Sequence, residues 1–153
     1  MNADPRVMEH FVAPMSPEET DEMVDRVDRW IADHGWGLFA VEVVDGPGFI
    51  GFVGLAEPRF EAPFTPAIEI GWRLDPSAWG HGYASEAARA VLEAAPGWGI
   101  SEVVSFTTTT NTRSEAVMRR IGMTHDPEDD FDHPSVPVGH PLRRHVLYRW
   151  SAP

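Results

Sequence analysis

Two glycines define the chemistry this chain can offer. They lie in the stretch Leu74-Asp75-Pro76-Ser77-Ala78-Trp79-Gly80-His81-Gly82-Tyr83-Ala84-Ser85-Glu86. The apolar run before the loop, Ala67 to Leu74, reads as a strand, and the alanine-rich run after it, Ala84 to Ala95, reads as a helix. The first N–H groups of a helix have no internal partner, and the helix dipole adds about half a positive charge there. Glycine at 80 and 82 lets the backbone curl until several N–H groups face one point. Such a loop holds an anion. It is not a Walker A loop, which needs Gly-x4-Gly-Lys-Ser/Thr, because no lysine follows. Nor does it have the third glycine and later acidic residue of a dinucleotide fingerprint.

Regular elements on both sides must position this loop. Ser16-Pro17-Glu18-Glu19 is a capping box with proline at the first helical position. Met23, Val24, Val27, Trp30 and Ile31 follow at helical spacing, and His34-Gly35 ends that helix. Gly37 to Val44 and Phe49 to Leu55, joined by Asp45-Gly46-Pro47-Gly48, read as an antiparallel hairpin. The helix after the loop presents Ala84, Ala87, Ala88, Val91, Leu92 and Ala95 on one face, so it can lie close to a sheet. Val103 to Thr110 is a β-branched strand. Thr112 and Glu115 suggest a second capping box, with Val117, Met118 and Ile121 facing inward. Pro127 to Pro141 is a proline- and acid-rich excursion before a last strand, Arg144 to Trp150.

Bulk composition narrows the function classes. A chain of 153 residues is expected to be one domain, spanning 1–153. It has no cysteine, which excludes disulfides and thiol catalysis. No apolar run reaches membrane-span length and no leader pattern opens the sequence, so a soluble, cytoplasmic protein without a membrane partner is expected. A net charge of −12 argues against nucleic acid as a partner and predicts a field that attracts cations such as amines. His125, His133, His140 and His145 match no zinc spacing, so no metal is expected.

The order Glu69-Ile70-Gly71-Trp72-Arg73-Leu74-Asp75-Pro76, then Trp79-Gly80-His81-Gly82-Tyr83-Ala84, resembles the acetyl-CoA pyrophosphate loop of the GNAT N-acetyltransferase superfamily. It is most similar to the branch of the ribosomal-protein N-terminal acetyltransferases. Trp79 stands where that family's pattern has Arg or Gln. The resemblance runs roughly from Asn2 to Trp150. It implies a mixed α/β fold, a mostly antiparallel sheet flanked by helices in the order β-β-β-α-β-α-β. Asn2 to Phe11 carries no strand pattern, so the family's first strand is expected to be missing, either because the start is truncated or mis-called or because the protein lacks that strand. The sheet edge left bare there invites a homodimer.

The resemblance also implies an activity and its residues. Acetyl-CoA would donate an acetyl group to a primary amine, on a protein N-terminus or a small molecule, by direct attack in a ternary complex. The backbone of Ile70, Trp72 and Leu74 would pair with the pantetheine, and an N–H near Ile70 would hold the oxyanion. Trp79, Gly80, His81, Gly82, Tyr83 and Ala84 would take the pyrophosphate. Asn111 would contact the pantetheine, cap the following helix, or both. Ser114, three residues on, would protonate the leaving thiolate. Two sites compete for the base role: Glu69, and His133 with its neighbour Asp132, where the N-terminal acetyltransferases carry a glutamate. Tyr148 is a further acid candidate but reads more simply as core, and Trp30 lies where the family borders its acceptor. At pH 7 deprotonating an α-amine costs about 1 kcal/mol and a lysine about 4.6, so a weak base suits the former. Two non-catalytic readings stand beside this one, an acyl-CoA-binding or sensing module and a structural domain that binds no CoA.

Overall fold

A computed structural model describes all residues, 1–153. The chain opens with turns and then forms helix α1 (Pro17–His34). Strands β1 (Leu38–Val43), β2 (Gly48–Ala56) and β3 (Glu69–Leu74) follow, then helix α2 (Tyr83–Ala94), strand β4 (Glu102–Thr108) and helix α3 (Thr112–Arg120). Two short strands, β5 (Thr124–His125) and β6 (Phe131–Asp132), precede β7 (Arg144–Ser151). They form one sheet in the order β1-β2-β3-β4-β7-β5, with β6 also pairing with β7. All pairings are antiparallel except β3 with β4. The mixed, mostly antiparallel sheet expected from the sequence is therefore present, and β1 is its edge.

Local signals account for the helix ends. The Ser16 hydroxyl accepts from the Glu19 N–H at 3.1 Å, and the Glu19 carboxylate accepts from the Ser16 N–H at 2.7 Å. Gly35 ends α1 in the left-handed region. No residue of α1 is fully buried, however, and Val24 is exposed, although its spacing predicts an inward position. The helix serves as a wall of a cleft, and Met23, Val27 and Trp30 line it. Helix α3 is capped by Asn111, whose side-chain oxygen accepts from the Ser114 N–H, rather than by Thr112 as the capping-box pattern suggested. Asn111 reaches that N–H because a tight turn at Thr109–Thr110, closed by the Asn111 N–H donating to the Thr108 carbonyl at 2.9 Å, sets it at the N-cap position.

The main core lies between the sheet and helices α2 and α3. Ile70 and Leu74 of β3 meet Ala88, Val91 and Leu92 of α2 and Met118 of α3 there. A second cluster, not legible in the sequence, joins Val104, Phe131 and Leu147 to Phe60, Phe64 and Phe106. It folds the 57–66 loop and the 127–141 excursion onto the opposite end of the cleft.

Candidate active site

Strands β3 and β4 run parallel but pair at one register position only, Glu69 with Val104. The Val104 N–H donates to the Ile68 carbonyl at 2.8 Å, so ladder geometry directs the Ile70 N–H at the Val104 carbonyl. The ladder then stops. The Asp75 N–H donates to Ile50, which shows that odd-numbered residues of this strand point their backbone groups at β2. The even-numbered ones point the other way, so the Ile70 carbonyl and both backbone groups of Trp72 face a gap. This moves the expected oxyanion donor. The first uncommitted N–H on that edge is Trp72's, not Ile70's. The Leu74 carbonyl accepts from Trp79 Nε1 at 2.9 Å.

The gap leads into the glycine loop. Gly80 and Gly82 have φ of 81° and 87°, left-handed values that favour glycine. Gly82 is the N-cap of α2 and supplies no side chain, so the first N–H groups of that helix stay open to a ligand. Tyr83 and Ala84 line the cleft at this point, whereas His81 lies outside it with its ring 5.5 Å from that of Tyr83. Trp79, the departure from the family pattern, anchors the loop to β3 through Leu74 and carries the Arg113 guanidinium 4.5 Å over its ring. Arg113 sits in the first turn of α3, where the helix dipole disfavours a cation. A guanidinium and two helix N-termini thus border the same cleft, and the carboxylates of those first turns, Glu86 and Glu115, do not line it. Sequence reading missed Arg113. Its only signal was its place between Asn111 and Ser114.

Midway along β3, Ser114 accepts two hydrogen bonds, from Trp72 Nε1 at 3.3 Å and from Asn111 Nδ2 at 3.1 Å. Asn111 Nδ2 also donates to the Thr107 hydroxyl at 2.9 Å. With both acceptor positions filled, the Ser114 hydroxyl keeps its own proton to donate. Asn111 caps the helix and orients Ser114 together.

Glu69 has no cation or hydrogen-bond donor beside it, and desolvation pushes its carboxyl up to about 8. The His133 ring lies 4.3 Å from Phe60 and 5.0 Å from His145. Burial, then His145 and Arg143, hold it down at about 4, so it is neutral at pH 7. Asp132 turns out of the cleft to pair with Arg143 at 3.3 Å and Arg144 at 3.5 Å. The Tyr148 hydroxyl is buried between Arg119 at 2.8 Å and Glu115 at 3.2 Å, away from the cleft. These contacts remove Asp132 and Tyr148 from the acid–base candidates. Of the remaining site residues expected from the sequence, all but His81 line one cleft of about 1280 Å³.

The charge around this cleft reverses that of the whole chain. All twelve basic side chains are arginine, and the sequence contains no lysine. Seven of the twelve line the cleft, against three of the 24 acidic residues. Six of those seven pair with no carboxylate, Arg6 being the exception. The field at the site therefore favours anions, contrary to the expectation drawn from net charge.

A family model described as an acetyltransferase (GNAT) domain matches residues 1–124. The chain belongs to the GNAT acetyltransferase family. Among curated proteins it is 34% identical over 141 residues to the FsC-acetyl coenzyme A-N(2)-transacetylase of Aspergillus fumigatus, covering 82% of this chain and 56% of that one. The chain thus spans just over half the length of that relative. Among solved structures, the acetyltransferase from Agrobacterium tumefaciens superposes with a TM-score of 0.73 at 27% identity, covering 98% of this chain and 80% of that one. The GNAT acetyltransferase from Bacillus anthracis gives 0.75 at 24% identity, over 98% and 84% of the two chains, and shares the fold. No helix of this GNAT protein is long and apolar enough to cross a membrane.

Proposed function

We propose that this chain transfers an acetyl group from acetyl-CoA to a primary amine by direct attack in a ternary complex. The observation that carries this reading is the gap beyond the Glu69–Val104 pair, which opens onto the uncapped N-terminus of α2 at Gly82. An extended arm with an anion at its far end fits that shape. The pantetheine pairs with the Ile70 carbonyl and the backbone of Trp72. The pyrophosphate rests on the N–H groups of Gly80 to Ala84, with the Arg113 guanidinium above Trp79 supplying the charge that Arg or Gln supplies in the family pattern. The likeness of the Glu69 to Ala84 motif supports the branch of ribosomal-protein N-terminal acetyltransferases, and the free edge of β1 supports a homodimer.

The thioester then lies between Trp72, Ser114 and Glu69. Glu69 takes the proton of the attacking nitrogen, because a carboxyl near 8 is matched to an α-amine near 7.8. The Trp72 N–H holds the oxyanion. Ser114 protonates the departing thiolate. His133, with an imidazole near 4, is too weak a base and acts as part of the acceptor wall.

Calorimetric titration of acetyl-CoA, followed by free-thiol release with a panel of amines, tests the reading. Binding with thiol release supports transfer. Binding without release from any amine leaves a binding module. Absence of binding removes the donor site.

A further inference from the structure

Arg73 is the cation of this cleft that the chemistry above leaves unused. Alternation along β3 puts Glu69, Gly71 and Arg73 on the face opposite α2. The guanidinium is clamped between two rings, 4.4 Å from the centre of Phe11 and 5.3 Å from that of Phe52. Its Nη1 donates to the Asn2 side-chain oxygen at 2.9 Å and to the Met15 sulfur at 3.5 Å. Its Nε is buried with no partner, and no carboxylate pairs with it. Desolvation lowers its pKa to about 10, which marks a charge that nothing in the chain compensates.

On that face the strand carries no side chain between Glu69 and Arg73, because Gly71 stands there. A Cβ built on Gly71 would meet only the Glu69 carboxylate, at 3.9 Å, so the floor there is open. The two flanking Cα atoms stand about 13 Å apart at the rise of a strand. Glu69, Gly71 and Arg73 line the same cleft, so one small molecule lying over Gly71 can reach both side chains. The trough has a proton acceptor at one end and a fixed, unpaired cation at the other. Arg26, also free of any carboxylate, lines the same cleft from α1.

We infer that the acceptor is an amine carrying its own carboxylate, bound across Gly71 with its nitrogen at Glu69 and its carboxylate at Arg73. This rests on the transferase reading and names its substrate class, a small amino acid rather than a polypeptide N-terminus. The neutral nitrogen attacks the thioester carbonyl. The C–N bond forms, the C–S bond breaks, the nitrogen's proton passes to Glu69, and the thiolate receives a proton from Ser114. Arg73 takes no part in these transfers. It fixes where the nitrogen stands.

The test compares phenylalanine, leucine and methionine with their carboxamides in the wild type, Arg73→Met and Arg73→Lys, following acetyl-CoA-dependent thiol release. The carboxamides have the less basic amines, a bias that cancels when the acid-to-amide ratio is compared between proteins. Loss of a charged hydrogen-bond pair should lower kcat/KM for the free acids about 30-fold in Arg73→Met. The carboxamides should change less than about threefold, with the acetyl-CoA KM unmoved. Arg73→Lys should recover part of the loss, which a folding defect would not allow. Wild-type preference for carboxamides, an acid-to-amide ratio unchanged in Arg73→Met, or turnover of none of these amines overturns the inference. If acetyl-CoA still binds and other amines are acetylated in those cases, the transferase reading stands. If acetyl-CoA does not bind, that reading fails with it.

Discussion

Trp72 donates its indole N–H to the Ser114 hydroxyl oxygen at 3.3 Å, joining two residues 42 positions apart. The contact places the candidate acid of α3 beside the free backbone edge of β3. Ser114→Ala should therefore lower kcat by about 100-fold, the lower range for general acid catalysis, with acetyl-CoA affinity intact. Steady-state kinetics beside calorimetry checks it, and unchanged turnover would remove the acid role.

Gly82→Val should abolish acetyl-CoA binding. A Cβ at this position meets no protein atom, so crowding inside the chain is not the cause. The side chain instead enters the space of the anion, and a φ of 87° strains any β-branched residue. A loss of about 1–2 kcal/mol of stability should accompany it, read from denaturant unfolding. Full affinity would break the assignment of the loop.

Glu69 should set the pH dependence. A carboxyl near 8 is protonated at pH 7, so kcat/KM should rise with pH through about 8 as the base form appears. Glu69→Gln should remove that limb and most of the activity. Stability moves the other way. The folded state binds this proton more tightly than the unfolded chain, so this contribution is full below about 4.5 and fades as pH rises through about 8. Melting curves of Glu69→Gln should lack that decline.

His133 should leave the alkaline limb untouched. Its folded pKa, about 4, lies below the unfolded value of 6.5, so the unfolded chain takes up a proton first as pH falls. Melting temperature should drop between those values, and His133→Phe should reduce the drop. A limb near 6.5 in kcat/KM that disappears with His133 would return the base role to the imidazole.

Arg113→Ala should weaken acetyl-CoA binding about tenfold, the range of one charge-assisted contact, and reduce its salt dependence. Trp79→Phe should do less, since a phenyl ring still stacks a guanidinium but no longer bonds Leu74. Equal affinity in Arg113→Ala would leave the phosphates to the backbone alone.

The five long strands, the three helices and the glycine turn between β3 and α2 were legible because each has a local cause, whereas the two-residue strands β5 and β6 were too short to show a period. Glycine, proline and the Ser16–Glu19 cap act over four residues, and a strand or helix face repeats at a fixed period. What the sequence hid depends on distance in the chain. Phe60 and Phe64 of one loop, Phe106 of β4 and Phe131 of β6 meet with no period linking them. Arg113 reached Trp79, and Arg73 reached Asn2, only once the backbone had closed. Net charge misled for the same reason. Folding gathered seven of the twelve arginines at the cleft and left 21 of the 24 carboxylates outside it.

A cleft whose permanent cations are all arginine has one more consequence. Lysine would present acetyl-CoA with amines of the protein's own, each transfer erasing a positive charge. With no lysine anywhere in this sequence, the side chains offer the donor no nucleophilic amine. The electrostatic pattern that draws ligands in therefore cannot be worn down by the chemistry it serves.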